Sequence, residues 1–235
     1  SDIDILGDAY EFLMRKFAQE SGKSKGQFYT PGEVSRIMAQ LIGIDKSTSQ
    51  DQSLYDPTCG SGSLLLKASD ESTDGLDIYG QENDNATSAL AKMNMILHGI
   101  ESPNLFRGNT LTQNIRDIQE KDRYNIILAN PPFGGKEKSQ IQQNFPIQSN
   151  ATELLFLQHF MKTLKSGGKA AIVVPEGVLF QTNSAFKQVK QGLLENFNLH
   201  TILSLPAGVF LPYSGVKTNV LFFERSGGTS DVWYY

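Results

Sequence analysis

The sequence predicts an α/β domain built around a mixed sheet, and two observations lead to this fold class. After residue 53, short apolar runs alternate with amphipathic helical stretches, a pattern typical of parallel strands with helices on both faces of the sheet. The last two runs, 199–205 and 216–224, are joined only by residues 206–215. That connection is too short for a helical crossover, so we expect these two strands to pair antiparallel. We therefore predict a seven-stranded mixed sheet whose last strand is antiparallel.

The predicted elements follow one another in a regular order. The first six strands are expected around Leu54-Tyr55, Ile78-Tyr79, Leu105-Phe106, 126–129, 170–174 and 202–205. The helical stretches between them are 62–69, 84–98, 152–165 and 185–196. Gly99 and the pair Gly167-Gly168 stand where helix C-caps are expected.

The chain before this alternating part is predicted to be helical. Residues 1–20 have apolar side chains at helical spacing, and 21–26 is a polar linker. A further helix is expected to begin at Thr30, with Thr30 as the N-cap, Pro31 in the first helical position and Glu33 completing a capping box.

Composition and length restrict the class of protein. The 235 residues carry a net charge of −4, which argues against a broad basic face that grips nucleic acid without help. A single cysteine favours a reducing cytoplasm, and no apolar run approaches the roughly 18 residues of a membrane span. We predict a helical lead-in over 1–52 and a main domain over 53–235. Because the chain begins without Met and ends on aromatic residues that need a partner, we expect it to be a fragment of a longer protein.

A glycine-containing loop follows the first predicted strand. The residues Asp56-Pro57-Thr58-Cys59-Gly60-Ser61-Gly62 lead from this strand into a helix, at the edge where open α/β sheets bind ligands. The loop lacks the spacing and the Lys-Ser/Thr ending of a phosphate-binding loop. The carboxylate of Asp56, the first residue of the loop, would instead attract a cation or accept hydrogen bonds. A tight turn without a ligand is the alternative interpretation.

Glu82 ends the second predicted strand, 20 residues after Gly62. An acid at that separation binds ribose hydroxyls in nucleoside-binding α/β folds, although a solvated carboxylate near a helix start is the alternative. Together with the loop, Glu82 favours a nucleoside cofactor that has no pyrophosphate. S-adenosylmethionine fits this description.

A stiff segment follows the fourth predicted strand. In Asn130-Pro131-Pro132-Phe133, the two prolines fix an extended backbone. Asn130 and the Pro131 carbonyl offer two acceptors for a planar exocyclic amine, and Phe133 offers an aromatic face. A proline-rich exit turn with a buried Phe is the alternative interpretation.

The loop and the Asn-Pro-Pro-Phe segment, taken together, resemble the amino-methyltransferases that modify adenine N6 in DNA. Over nearly the whole chain the resemblance is specifically to the modification (M) subunit of type I restriction-modification systems. The further motifs that carry it are Gly26-Gln27-Phe28-Tyr29-Thr30-Pro31, Gly80-Gln81-Glu82-Asn83, Lys92-Met93-Asn94-Met95, Leu97-His98-Gly99-Ile100 and Leu128-Ala129.

The resemblance implies a methyltransferase fold of the Rossmann-like type and a set of site residues. The implied cofactor contacts are Tyr29, Thr30, Asp56, Thr58, Gly60, Ser61, Gly62, Glu82, Asn83, Asn109, Thr110 and Asn130. The implied catalytic residues are Asn130, Pro131, Pro132 and Phe133. Asn109 departs from the family's usual Asp, so it keeps an acceptor without the charge. No metal is implied.

The implied reaction is direct methyl transfer from S-adenosylmethionine to N6 of an adenine flipped out of DNA. The implied partners are double-stranded DNA, a specificity (S) subunit, a restriction subunit and a second M subunit. Two alternatives remain: methylation of a protein glutamine amide or an RNA guanine amine, and a non-catalytic cofactor-binding assembly subunit. Relatives acting on glutamine or guanine typically carry Tyr where this chain has Phe133.

Some reactive or aromatic residues are given structural or open roles. Cys59 is expected to be a small packed side chain, since direct transfer needs no nucleophile on the enzyme. His98 and His159 lie in helical stretches and are expected to be structural. Phe210 or Tyr213 could supply a second face for the flipped base, or could be part of the core.

Overall fold

The structure is a computed structural model that describes residues 30–44, 52–72, 75–211 and 214–235, together with positions 9 and 12. The predicted linker 21–26 and nearly all of the helix predicted over 1–20 therefore lie outside the described residues. No helix in the described ranges is long and apolar enough to cross a membrane.

Helices and strands alternate along the described chain. The helices are α1 (Gly32–Ile42), α2 (Ser63–Asp70), α3 (Asn85–Leu97), α4 (Ser139–Gln142), α5 (Thr152–Thr163), α6 (Gly177–Phe180) and α7 (Ser184–Asn196). The strands are β1 (Ser53–Asp56), β2 (Asp77–Glu82), β3 (Asn104–Arg107), β4 (Tyr124–Ala129), β5 (Leu164–Pro175), β6 (Asn198–Ser204), β7 (Thr218–Glu224) and β8 (Trp233–Tyr234). The chain divides into two compact units, Ser1–Thr110 with Gly208–Gly215, and Leu111–Ala207 with Val216–Tyr235. The boundary predicted at residue 52 stays a prediction.

The first unit contains three parallel strands in the order β3-β2-β1. Helix α1 packs on α2, and α3 packs on β2 and β3. Gly80 lets β2 approach its neighbours closely, because a Cβ there would lie 2.6 Å from Leu105 Cδ2 and 2.9 Å from Cys59 Sγ. Cys59 is buried in this contact, as expected for a small packed side chain.

The second unit contains β4 and β5 in parallel, then β7 antiparallel to both β5 and β6. The antiparallel pairing predicted for the last two apolar runs is confirmed. The described residues hold eight strands rather than seven, because the two-residue β8 adds to β6 in parallel. The apolar core of this unit gathers α5 and α7 with the strands, and Phe160, Leu157 and Phe223 are fully buried in it.

Two predicted caps differ from the structure. Helix α1 begins at Gly32 with Pro31 as the N-cap, so the capping box predicted at Thr30 is wrong. The reason is that Pro31 keeps an extended backbone, with φ −51° and ψ 134°, and so stands outside the helix. Gly167-Gly168 do not cap a helix, because α5 ends at Thr163 and β5 begins at the next residue.

The glycine pair instead shapes the start of β5. Gly167 has φ +72°, and its N–H donates to the Arg225 carbonyl at 2.9 Å. A Cβ on Gly168 would lie 2.8 Å from the Asn125 carbonyl oxygen. At Gly99 the predicted cap is confirmed: the N–H groups of Gly99 and Ile100 donate to carbonyls in the last turn of α3, which is a Schellman motif.

Candidate functional site

Asp56 stands at the carboxyl end of β1, and only 2% of its surface is exposed. Its Oδ1 accepts hydrogen bonds from the backbone N–H of Thr58 at 2.9 Å and from the Thr58 hydroxyl at 3.1 Å. Burial raises the pKa of Asp56 to about 7; the Thr58 hydrogen bonds oppose this rise and the nearby charge of Glu82 adds to it. The carboxyl group is therefore held in a fixed orientation but disfavoured in its charged form.

Residues Gly60 to Gly62 turn the chain from β1 into α2. Gly60 has φ +55° and Gly62 has φ +80°, so both adopt a backbone that favours glycine. The Gly62 N–H donates to the Cys59 carbonyl at 2.7 Å, which closes a tight turn. A Cβ on Gly62 would lie 3.1 Å from Met95 Cε, so α3 packs directly on the turn.

Glu82 connects this glycine turn to the start of α3. Its Oε2 accepts from the backbone N–H of Gly60 at 3.1 Å, and its Oε1 accepts from that of Asp84 at 2.7 Å. Burial raises the pKa of Glu82, while these hydrogen bonds and one from the exposed Asn83 backbone oppose the rise. Three donors leave the carboxylate, which has about four acceptor positions, with room for a ligand hydroxyl.

Thr110 joins the loop after β3 to the loop after β1. Its hydroxyl donates to the Pro57 carbonyl at 2.7 Å, and the residue is buried. Thr110 is therefore engaged in holding the Asp56-containing loop, while its neighbour Asn109 is half-buried. The cofactor contacts predicted for both residues stay predictions.

Two polar residues at this edge of the first unit were not predicted as functional. The Gln81 side chain accepts from the Tyr55 hydroxyl at 3.1 Å and donates to the Gly108 carbonyl at 3.2 Å, so it links the ends of β1 and β3. Asn94 on α3 donates to the Ser61 carbonyl at 3.1 Å. Both residues lie in motifs that carry the family resemblance, but their contacts reach 26 to 33 residues along the chain. Local pattern does not reveal such contacts.

The Asn-Pro-Pro-Phe segment, residues 130–133, follows β4 in the second unit without regular secondary structure. Pro131 is buried and the other three are half-buried. The segment ends in a glycine turn: Gly134 has φ +67°, and a Cβ on Gly135 would lie 2.6 Å from Thr152 Oγ1. The extended backbone predicted from the two prolines therefore leads into a turn that only glycine fits.

The chain after this turn is anchored to the start of α5. Lys136 and Ala151 form an isolated antiparallel bridge. The side-chain amide of Gln158 accepts from the Ile147 N–H at 3.0 Å and donates to the Ile147 carbonyl at 2.9 Å. This two-way contact fixes the returning loop at Ile147, while the bridge at Lys136 holds the chain three residues after Phe133.

The remaining predicted residues fall into two groups. Tyr29 and Tyr213 lie outside the described residues, whereas Thr30 is described and buried. Phe210 has 1% of its surface exposed, as the core alternative would require. His159 is buried, and burial lowers its pKa to about 4, so the imidazole is neutral and placed as a structural residue would be.

Comparison with known proteins assigns the family. A profile of the family described as "N-6 DNA Methylase" matches residues 1–235. The chain belongs to this family. Among curated relatives, the methylase subunit of the type I restriction enzyme EcoEI from Escherichia coli is 39% identical over 98% of this chain. The MpnII methylase subunit from Mycoplasma pneumoniae is 30% identical over the full chain.

Solved structures of N-6 DNA methylase relatives share the fold. The methyltransferase subunit of a type I restriction-modification system from Streptococcus thermophilus is 35% identical, with a TM-score of 0.86 over 98% of this chain. The chain spans about half the length of the relatives it matches, 48% of the EcoEI subunit and 51% of the S. thermophilus one. Family membership confirms the predicted methyltransferase fold class and S-adenosylmethionine as the cofactor.

The described residues of this N-6 DNA methylase chain fit that cofactor. Asp56 is a buried acid whose hydrogen-bond donors in the described part of the chain are both groups of Thr58, and its pKa is raised, so no lysine or arginine there compensates its charge. The ammonium and sulfonium groups of S-adenosylmethionine are cations, and a ribose hydroxyl matches the acceptor position that the backbone donors leave on Glu82. The glycine turn leaves the backbone open to close approach.

Proposed function

We propose that the chain transfers a methyl group from S-adenosylmethionine to the exocyclic N6 of an adenine in DNA, as the modification subunit of a type I restriction-modification complex. The observation that carries this proposal is the Asn-Pro-Pro-Phe segment directly after β4 in a chain that matches the N-6 DNA methylase family from end to end. Asp56, Thr58 and the glycine turn would hold the aminoacyl end of the cofactor, and Glu82 with Asn83 the ribose. Tyr29, Thr30, Asn109 and Thr110 are the further contacts we propose.

Acceptor groups on residues 130–133 would orient the target. Asn130 Oδ1 and the Pro131 carbonyl accept hydrogen bonds from the two N6 protons, which directs the nitrogen lone pair away from the base plane. Phe133 stacks on the adenine ring, and Pro132 keeps the backbone extended. The base must leave the duplex to reach these groups, at a cost of a few kcal/mol.

The chemistry needs little from the protein beyond placement and electrostatics. The cofactor supplies an electrophilic methyl group on a sulfonium. Because an amide oxygen and a peptide carbonyl are hydrogen-bond acceptors rather than bases at neutral pH, the proton released from N6 passes to water. The buried Cys59 thiol, whose pKa burial raises well above its usual range, remains protonated and takes no part.

The same proposal assigns the partners. With a net charge of −4, this chain is poorly suited to gripping DNA phosphates by itself. We propose that a specificity subunit supplies target recognition, and that a second modification subunit and a restriction subunit complete the assembly. Double-stranded DNA as the substrate would place the complex in the cytoplasm.

One experiment tests the proposed function. The assembled complex is incubated with S-adenosylmethionine that carries a tritiated methyl group. Each reaction also contains one candidate substrate: duplex DNA, RNA or protein. We expect the label to appear in DNA, on adenine N6. The variant Asn130→Ala should abolish this transfer, while its affinity for the cofactor stays within about threefold of the unmodified chain. Gln148→Ala removes an exposed amide from the loop that follows and serves as the matched control. Label in RNA or protein alone, or full activity of Asn130→Ala, would contradict the proposal.

A further inference from the structure

Helix α3 carries a polar residue in the middle of its buried face. Its buried side chains are Thr87, Ala91, Asn94 and Met95, and Asn94 has no exposed surface at all. Thr87 has a local partner, because its N–H and hydroxyl both donate to the N-cap residue Asp84. Asn94 has no such local role: its amide points out of the helix, toward the glycine turn.

The amide of Asn94 makes one long-range hydrogen bond. Its Nδ2 donates to the Ser61 carbonyl at 3.1 Å, across 33 residues of sequence. Its Oδ1 is buried and has no hydrogen-bond partner in the described part of the chain. An unpaired buried acceptor is unfavourable for stability, so helix stability alone does not account for an asparagine at this position.

The orientation of the Ser61 carbonyl determines the orientation of a peptide group in the turn. It belongs to the peptide that joins Ser61 to Gly62, and the N–H on the other side of that peptide donates to the Cys59 carbonyl. Holding the carbonyl therefore fixes the plane of the peptide. The neighbours of Asn94 on α3 reinforce this, because Met95 and Ala91 are the side chains closest to Gly62.

A second connection joins the same helix to the same turn. Glu82 links the backbone N–H of Gly60 to that of Asp84, at the start of α3. Gly60 is thus held from one end of the helix, and Ser61 is held from its third turn. Two attachment points, one on each side of the Gly60-Ser61 peptide, fix the direction in which the backbone of the turn faces.

From this geometry we infer that Asn94 is a positioning residue for cofactor binding: its amide holds the Ser61 carbonyl and so keeps the glycine turn in the conformation that receives the aminoacyl end of S-adenosylmethionine. The inference rests on the proposed function. It assigns a role to the Lys92-Met93-Asn94-Met95 motif, which the reaction itself leaves without one.

The test separates cofactor affinity from folding. The Asn94→Leu side chain has the same branched arrangement of heavy atoms, is somewhat larger and cannot donate, and Asn94→Ala is the second variant if the leucine side chain does not pack. We expect the KM for S-adenosylmethionine to rise at least tenfold, with kcat within threefold and the KM for DNA unchanged. Calorimetric titration with S-adenosylhomocysteine should show the same loss of affinity without any turnover.

A partly unfolded variant gives a different result, because fewer active molecules lower kcat and leave KM unchanged. Thr163→Val is the matched control: it removes one buried hydroxyl from α5, which donates to the His159 carbonyl at 2.8 Å. We expect it to lower stability without changing the cofactor KM. Asn94 variants that bind the cofactor as the unmodified chain does would overturn the inference and leave the proposed function standing. If the unmodified chain binds no cofactor, both are overturned.

Discussion

Replacing the Asp56 carboxyl group by an amide should stabilise the fold and weaken the binding of S-adenosylmethionine. In the folded chain burial raises the pKa of Asp56 from 3.8 to about 7. A raised carboxyl pKa means that the folded state disfavours the charged form, so the destabilisation is absent below the unfolded pKa of about 4. It grows as the pH rises and is complete above about pH 7. The amide introduced by Asp56→Asn would keep the oxygen that accepts from Thr58 and would never carry the charge.

The size of the expected stability change follows from the pKa shift of Asp56. A change of roughly three pKa units corresponds to about 4 kcal/mol between the two protonation states, a large fraction of the roughly 5–15 kcal/mol that stabilises a typical domain. Part of this penalty is already present at about pH 4.5, where Asp56 is ionised in most unfolded chains. We therefore expect the advantage of Asp56→Asn over the unmodified chain to grow by about 3 kcal/mol between about pH 4.5 and about pH 8.

Urea denaturation followed by circular dichroism at a series of pH values measures this difference. Comparing the two chains at each pH cancels the titration of the groups that do not interact with Asp56, which leaves Asp56 and its coupled neighbours Glu82 and Cys59. The same variant should bind S-adenosylmethionine at least tenfold more weakly at about pH 8, where the ligand's cationic groups favour an ionised Asp56. A stability difference that does not change with pH, or a variant less stable at about pH 8, would show that the buried Asp56 charge does not destabilise the fold.

Two further predictions follow from side-chain contacts. Gly80→Ala should destabilise the first unit by about 1–3 kcal/mol in urea denaturation, because the new methyl group would overlap Leu105. Gly32→Ala is the control. A Cβ on Gly32 would meet no atom within 4 Å, so this variant should be neutral or slightly stabilising. Phe133→Leu should raise the KM for DNA roughly fivefold or more, because base stacking on an aromatic ring contributes about 1–3 kcal/mol. An unchanged DNA KM together with an unchanged kcat would show that Phe133 does not stack on the base.

Much of the fold could be predicted because its strands and helices have strong local signals. The run that became β4 is continuously apolar, and the structure buries its last four residues as a central strand requires. In contrast, β8 has only two residues and no periodicity that could reveal it. Gly167-Gly168 were misassigned because a glycine pair after a helix is ambiguous: only the hydrogen bonds to Arg225 show that the pair lies near the start of β5.

The placement of three candidate residues at strand ends was predictable for a different reason. Asp56, Glu82 and Asn130 lie at or directly after the ends of strands, and the carboxyl ends of strands are where α/β sheets bind ligands. The side chains that hold these loops were not predictable. Gln81, Asn94 and Gln158 bond to backbone groups in other elements, and a contact that joins distant parts of a chain has no signature in either part alone.

The charged and ionisable side chains around the glycine-containing loop after β1, residues 56–62, all experience the same burial effect. Burial raises the pKa values of Asp56, Cys59 and Glu82, and the charges of Asp56 and Glu82 raise that of Cys59 further. A lysine or arginine beside Asp56 would remove this penalty and make the fold more stable. It would also occupy the carboxylate and repel the cationic groups of S-adenosylmethionine. The uncompensated charge of Asp56 thus destabilises the fold without a ligand, and a cationic ligand would remove that penalty. For this reason a buried acid can bind a cationic ligand better than a buried ion pair could.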